Sequence, residues 1–492
     1  MGHSPRHHYS CSVRVATRSP WVPRVAATLV IVLSLSLFTR AEAALPPDAA
    51  KRIDAVFADF ASPQSPGCAV AVFQQGAITF AKGYGAANLE YGIPITPDTR
   101  FTVGSVSKQF TAAAIALLVQ EGRLRTTDDI RTYVPELRDF GKTITIDHLV
   151  HHTSGLRDFW TLVQIADMRN DDGYTVDDVI RIASRQHHLN FDPGTEYNYS
   201  NTGYVLLGVV VQRITGQTLR QFADEHLFGP LGMRESYYVD DHSELVRGRA
   251  AAYSPEPGGG WRTNIWHNDL VGQGGVVTTV RELQKWDENF YSGRVGGSKL
   301  LELQRTRGVL NDSTIISYAF GLDMLEYRGL PIVEHAGSSG GYRANLVRFP
   351  TKHTSVAATC NTSSAEPVQL THRVADIVLE SAFAKPVPAV VAPAEPRRQV
   401  EPTAAALERF TGRYHSDELD ATFDITPSAD GLRLRRPRTG SLPLNVSDQQ
   451  TLRTPLLTLR FAGPASGPWT SFIIEAGRVR GIEFVRIAEP SK

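Results

Sequence analysis

The chain has 492 residues, too long for one ordinary core, and 42% of it is hydrophobic against 21% charged, a globular composition that is neither disordered nor fibrous. Lys+Arg and Asp+Glu both number 51, so the net charge is zero and there is no broad basic field of the kind that nucleic acid or an anionic membrane surface calls for. Three cysteines, Cys11, Cys68 and Cys360, are too few for a disulfide framework, and no CxxC or Cys/His metal spacing occurs; whether Cys68 and Cys360 pair stays open.

In chain order, residues 1–43 have the pattern of a secretory signal peptide. Arg14, Arg18 and Arg24 precede an apolar run from Val25 to Phe38, and Ala41-Glu42-Ala43 supplies small residues around a cleavage point before Ala44. The run is shorter than the roughly 20 residues of a membrane span, so a cleaved signal and a periplasmic or secreted protein are expected, with an uncleaved anchor as the alternative. No lipid-anchor cysteine follows the run.

From residue 44 to 384 strand and helix patterns mix. Gly67 to Phe73 predicts a buried strand, Gln74-Gln75-Gly76 a turn and Ala77 to Ala81 the returning strand. Ser105 to Glu121, rich in Ala, Leu and Ile and stopped by Gly122, predicts a buried helix. The stretch 128–288 is mostly helical in pattern, and strands return at Leu346 to Phe349 and Ser355 to Thr359. Strands at both ends with helices between predict an α/β fold in which one sheet is built from both ends of the zone around a helical insertion. Residues 385–402 hold Pro386, Pro388, Pro393, Pro396 and Pro402 and predict an extended linker. Residues 403–492 carry short β-type runs at Ala421–Ile425, Gly431–Arg435, Leu457–Phe461, Ser471–Ile474 and Gly481–Val485, spaced as in a small antiparallel barrel. This zone has no acid/base set, so it is expected to tune access and not to do chemistry.

Three constellations carry chemistry. In Ser105-Val106-Ser107-Lys108 the three-residue spacing places Ser105 and Lys108 on one helix face. Serine needs a base to act as nucleophile, and a desolvated lysine can be that base. In Tyr199-Ser200-Asn201, a lysine nearby would lower the tyrosine pKa and let it relay protons, while Asn201 can hold Lys108 and a substrate carbonyl together. In His335-Ala336-Gly337-Ser338, glycine allows close approach of backbone to a ligand, and the N–H after Gly337 together with that of Ser105 could form an oxyanion hole. The predicted site is therefore Ser105, Lys108 and Tyr199 as catalytic residues and Asn201, His335, Gly337 and Ser338 as substrate-binding residues. No metal or other cofactor is expected. Each motif alone has an ordinary structural explanation: a helix N-cap, an aromatic loop ending at the Asp192-Pro193-Gly194 turn, a glycine-rich hairpin. His148 and His152, four apart, lack the glutamate of a zinc-peptidase helix and are expected to pack.

Tyr199 follows Ser105 by 94 residues and His335 follows Tyr199 by 136. In this order the motifs resemble the class C β-lactamase and D-peptidase family of penicillin-recognising serine enzymes. Phe101-Thr102-Val103-Gly104, Ile146 to Leu156, Pro193 to Asn198, Gly203 to Gly208 and Gly274 to Thr279 resemble its supporting blocks, over residues 45–384. Phe410-Thr411-Gly412-Arg413-Tyr414 opens a zone similar to the lipocalin-like barrels that follow this domain in D-aminopeptidase- and esterase-like relatives. The resemblance implies an antiparallel sheet flanked by helices with a helical subdomain, an active site between them, and acyl-enzyme hydrolysis of D-amino-acid peptides, amides or small esters. A β-lactamase proper and a non-catalytic peptidoglycan-peptide or penicillin-binding protein are the alternatives. The family usually has lysine where this chain has His335, which weighs against β-lactams. At the usual histidine pKa near 6.5 its charge would follow pH. Arg343 and Arg348, close in sequence, are candidates to supply the missing charge. The expected partner is a small-molecule or short-peptide substrate, with no nucleic acid.

Overall fold

The computed structural model describes residues 45–384, 386 and 403–488. The expected signal peptide and nearly all of the proline-rich linker lie outside the described residues. The central sheet has six antiparallel strands: β1 (Cys68–Gln74), β2 (Ala77–Tyr84), β3 (Asp323–Tyr327), β4 (Leu330–Ser339), β5 (Tyr342–Phe349) and β6 (Thr354–Cys360), in the order β3-β4-β5-β6-β1-β2. The join between the early and late halves of the chain is the β1–β6 pair, as the strand patterns at both ends predict.

Strand β1 is buried on both faces, and its side chains alternate between two cores. Ala69, Ala71 and Phe73 face the large helical layer, while Cys68, Val70 and Val72 face helices α1 (Ala49–Val56) and, later in the chain, Pro367–Val378. At the end of this strand Cys68 stands directly opposite Cys360, with Cα atoms 4.0 Å apart, and the two form a disulfide that closes 292 residues of chain. In the layer on the other face lies α2 (Lys108–Gln120), whose alanines allow close packing on all sides; Gly122 takes the left-handed conformation that terminates it. The helical subdomain contributes α3 (Ile146–Val150), α4 (Phe159–Ile165), α5 (Val176–Arg185) and α6 (Asn201–Thr215).

The C-terminal zone is a closed eight-stranded antiparallel barrel running from Gly412 to Ile487. Its strands include the five that alternation predicts. Gly412–Ser416, Gly440–Asp448 and Thr451–Arg453 complete it, their patterns being too polar or too short to stand out.

The barrel is not a separate bead on a linker. Phe159, Leu162 and Val163 of α4 and Val179 of α5 share one continuous apolar core with Phe423, Phe472 and Phe484 inside the barrel. At this junction Arg157 forms a buried ion pair with Glu418, donates to Gln186 Oε1 at 2.9 Å and donates to the carbonyl of Gly481 at 3.1 Å. Asp167 accepts the backbone N–H of Arg438 at 2.5 Å and of Thr439 at 3.0 Å.

Candidate active site

Ser105 lies in a 3-10 turn, Gly104–Ser107, that runs directly into α2. Strand β4 presses against this turn. A Cβ on Gly337 would lie 1.9 Å from the carbonyl oxygen of Val103 and 3.0 Å from the amide nitrogen of Ser105, and one on Gly104 would lie 2.5 Å from the amide nitrogen of Ser338. Gly104 also has φ +52°, so glycine is required there twice over. The close approach brings the amides of Ser105 and Ser338 to one side of the same cleft.

One turn of helix on, Lys108 is fully buried. Its Nζ lies 3.1 Å from Ser105 Oγ, 2.9 Å from Asn201 Oδ1 and 2.7 Å from the carbonyl oxygen of Gln273. Burial lowers its pKa well below the ordinary lysine value, Arg478 lowers it further, and Asp158 partly opposes them. A neutral amine has two hydrogens and one lone pair. Asn201 Oδ1 and the Gln273 carbonyl can only accept, so they take the hydrogens and the lone pair is left facing the hydroxyl of Ser105.

Asn201 opens α6, and its amide is held by Asp158. Both the backbone N–H and the side-chain Nδ2 of Asn201 donate to Asp158 Oδ1, at 2.7 and 2.8 Å. Asp158 also caps α4 through the N–H of Thr161. Asn201 thus holds Lys108 as expected, but part of its donor capacity serves Asp158.

The hydroxyl of Tyr199 is buried without a hydrogen-bond partner among the described residues. Burial raises its pKa, with Ser105 and then Arg478 only moderating the rise. The expected lysine-lowered tyrosine is therefore reversed: burial outweighs the groups that would favour the phenolate, so Tyr199 is a phenol. Its ring packs tilted against His152 at 4.1 Å between centroids, and His152 Nδ1 accepts the N–H of Ser200 at 3.1 Å. His148 Nδ1 accepts the N–H of Thr145, closing a capping box at the start of α3. Both histidines have structural partners, as the sequence predicts.

His335 lies on β4 with 4% of its surface exposed. Its Nδ1 faces the carbonyl of Ala336 at 2.6 Å and must carry the hydrogen; Nε2 then accepts from the hydroxyl of Tyr318 at 2.9 Å. Burial, and next Lys108, pull its pKa down to about 3. The expectation of a charge that follows pH near 6.5 is corrected: this histidine is neutral throughout the physiological range. Nor does Arg348 replace the family's lysine, since it is buried in an ion pair with Asp287 at 2.8 Å.

Ser105, Tyr199, Asn201, His335, Gly337 and Ser338 line one cavity of about 660 Å³. Lys108 backs it from behind. Trp160, Trp266 and Leu270 supply apolar wall, and Arg343 and Arg478 supply cations. Arg478 comes from the barrel, with its guanidinium carbon 4.4 Å from the centroid of the Tyr199 ring. The barrel is therefore a wall of the cleft. Asp158, Tyr318 and Arg478 escape the sequence reasoning. Asp158 sits beside a recognisable block with nothing to mark its contacts, Tyr318 lies in a stretch with no recognisable motif, and Arg478 lies in a turn whose neighbours in space are almost three hundred residues away in the chain.

Residues 53–379 match the Beta-lactamase family model, and the chain belongs to that family. Among its relatives is a D-aminopeptidase of Gluconobacter oxydans, 26% identical over 374 residues, which span 75% of this chain and 67% of the relative. A D-aminopeptidase of Cereibacter sphaeroides is 24% identical over 441 residues, or 85% of this chain and 81% of the relative. Among solved structures, the octameric penicillin-binding protein homologue from Pyrococcus abyssi superposes with a TM-score of 0.61 at 22% identity, over 89% of this chain and 99% of that one. The D-amino acid amidase from Ochrobactrum anthropi does so with 0.57 at 22% identity, over 68% and 98%.

Proposed function

We propose that this chain is a serine hydrolase that cleaves D-amino-acid amides and peptides through an acyl-enzyme on Ser105. The observation that carries the proposal is the saturation of Lys108: with both amine hydrogens engaged, its lone pair faces Ser105 Oγ at 3.1 Å. In this mechanism Lys108 takes the serine proton as Ser105 attacks the scissile carbonyl. The amides of Ser105 and Ser338 receive the developing oxyanion. Tyr199, held as a phenol, delivers a proton to the leaving amine. Water then attacks the acyl-enzyme by the same steps in reverse. The D-amino-acid preference is taken from the relatives, all of which, among those named above by activity, are D-aminopeptidases or D-amino acid amidases.

The neutral state of His335 removes one reason to expect a β-lactamase, because it offers no charge to a β-lactam carboxylate. The test is to label the protein with a fluorophosphonate, map the adduct, and compare D- and L-amino-acid anilides as substrates. A Ser105 adduct and D-selective turnover lost by several orders of magnitude in Ser105→Ala are expected. An adduct elsewhere, with full activity in Ser105→Ala, defeats the proposal.

We further propose that the protein is exported. The signal-like segment at 1–43 supports this, as does the Cys68–Cys360 disulfide, a bond that persists in oxidising compartments. Among the described residues no helix is long and apolar enough to cross a membrane. N-terminal sequencing of envelope-fraction protein should begin near Ala44; an intact N-terminus in the cytoplasm would overturn export.

A further inference from the structure

The hydroxyl of Tyr199 has no hydrogen-bond partner among the described residues, so no bond at that end of the side chain fixes where it points. Its position has to come from the packing of the ring and from the backbone on either side. One residue supplies both. His152 accepts the N–H of Asn198 at its backbone carbonyl, at 2.9 Å, and the N–H of Ser200 at Nδ1, at 3.1 Å. Both chain neighbours of Tyr199 are thus tied to a single residue. The imidazole of that residue lies 4.1 Å from the Tyr199 ring, nearer than the rings of Tyr318 and His335, each at 6.2 Å. It also packs against Tyr204 of α6 at 5.0 Å and against Tyr318 at 4.6 Å, so it links Tyr199 to the buried core.

The backbone at His152 is strained to allow this. Helix α3 ends in a turn where the N–H of His152 bonds to the carbonyl of Leu149 at 3.4 Å and the N–H of Thr153 to that of His148 at 2.9 Å. Such an ending requires a left-handed residue, and His152 is that residue, with φ +59°. Helices α6 and Val280–Ser292 end on Gly216 and Gly293 in the same conformation. Glycine adopts it freely, whereas a residue with a Cβ is strained there. His152 is also buried, and with Nδ1 accepting, its ring hydrogen sits on Nε2, which has no hydrogen-bond partner among the described residues. Helix ending and burial both disfavour a histidine here. Its contacts with the segment around Tyr199 are what favour it, and a strained residue beside a catalytic group points to function.

Under the mechanism proposed above, on which this inference rests, Tyr199 delivers a proton to the leaving amine. Its hydroxyl must therefore stand at the leaving nitrogen as the C–N bond breaks. We propose that His152 is a positioning residue for Tyr199, holding its hydroxyl at the leaving group through the His152 carbonyl, Nδ1 and ring. His152 is not among the residues that line the cavity, so it acts through Tyr199 and not on the substrate. Its effect is then confined to the step that needs the proton. An amide expels an amine, which must gain a proton as it leaves. A p-nitrophenyl ester expels a stable anion, which needs none.

The test follows kcat/KM, which ends at the acyl-enzyme, for D-alanine methylamide and D-alanine p-nitrophenyl ester in wild type, His152→Gly, His152→Asn and Tyr199→Phe. His152→Gly suits the turn that ends α3 and removes both Nδ1 and the ring. His152→Asn tolerates the left-handed backbone and keeps an acceptor but no ring. His152→Gly should lower kcat/KM for the amide by about a hundredfold, the scale of a misplaced catalytic group, and His152→Asn by about tenfold. Neither should change the ester by more than about threefold. Tyr199→Phe should lower the amide-to-ester ratio, and adding His152→Gly to it should lower that ratio no further. Melting temperatures establish which variants fold, and either one suffices. Equal proportional losses on amide and ester, no loss on the amide in a folded His152→Gly or His152→Asn, or a further fall in the ratio when His152→Gly is added to Tyr199→Phe overturns the inference while leaving Tyr199 as the acid. A ratio unchanged in Tyr199→Phe overturns the role of Tyr199 and this inference with it.

Discussion

Asp158 accepts both N–H groups that Asn201 offers it, at 2.7 and 2.8 Å, and so fixes which end of the Asn201 amide points at Lys108. Were the amide reversed, Nδ2 would meet the lysine, and a neutral Lys108 would spend its lone pair on Asn201 instead of on Ser105. Asp158→Ala should therefore lower kcat by about two orders of magnitude, the scale of a misplaced catalytic group. It should also cost about 1 kcal/mol for the lost cap on α4 and about 1–3 kcal/mol for the buried N–H groups left unpaired. Comparing kcat with the urea midpoint separates the two effects. Asp158→Asn keeps an acceptor oxygen and should recover much of the stability but less of the activity. Equal kcat in wild type and Asp158→Ala would show that the amide orientation is set by something else.

The barrel and the helical subdomain are joined through charge as well as apolar packing. Arg157 and Glu418 are 1% and 4% exposed, so neither ion has solvent to fall back on. Glu418→Ala should destabilise by about 3–5 kcal/mol, because it leaves a buried guanidinium without its counter-charge. The double variant Arg157→Met/Glu418→Leu should recover most of that loss, since a buried pair replaced by apolar groups of similar size is close to neutral. Chemical denaturation of the two single variants and the double provides the cycle. A Glu418→Ala loss under about 1 kcal/mol would mean that the junction is wet.

That junction also marks the limit of what the sequence conveys. The central sheet was legible because Cys68 to Phe73 and Val356 to Ala358 are apolar on both faces, as buried strands tend to be. The site was legible because Ser105 and Lys108 are tied by helix geometry and Tyr199 and Asn201 by adjacency, so local spacing already brings each pair together. Contacts made at long range left no such trace. Cys68 and Cys360 form a bond because their strands pair in register, which neither strand announces alone. The burial that keeps Lys108 and His335 neutral belongs to the assembled fold, so motif chemistry alone gave the wrong direction for Tyr199 and too high a pH for the titration of His335. A turn in a β-barrel showed nothing that would place Arg478 over Tyr199 and make the barrel a wall of the cleft.

The disulfide should contribute about 2–5 kcal/mol, the range seen when a native bond is removed from an exported protein. It joins neighbouring strands of the central sheet, far along the chain from each other, so the Cys68→Ala/Cys360→Ala variant should lose stability while keeping Ser105 labelling. Melting with and without reductant measures this. Equal melting temperatures for wild type and variant under oxidising conditions would refute it.

Acid stability follows from the two buried histidines. His335 is held down to about 3, by burial first and then by Lys108, and His152 is held well below the usual histidine range, again by burial first and then Lys108. In the unfolded chain both return to about 6.5. The folded pKa is the lower one, so between the two values the unfolded state binds protons that the native state refuses. Stability from this source is complete above pH 6.5 and is lost as pH falls toward the folded values, at about 1.4 kcal/mol per pH unit for each histidine. At pH 5 His335 alone should cost about 2 kcal/mol relative to pH 7.5, with His152 acting in the same direction, measurable as a falling urea midpoint at constant slope. His335→Gln, which keeps an acceptor for Tyr318, should remove the part of that dependence that comes from His335. The same neutrality predicts that binding of a carboxylate substrate will show no step assignable to His335 between pH 5 and 8, because that histidine carries no charge there. A midpoint that stays flat from pH 7.5 to 5 in wild type would mean that His335 and His152 take up protons in the folded protein, and the neutral Nδ1–H tautomer hydrogen-bonded to Ala336 and Tyr318 would have to be abandoned.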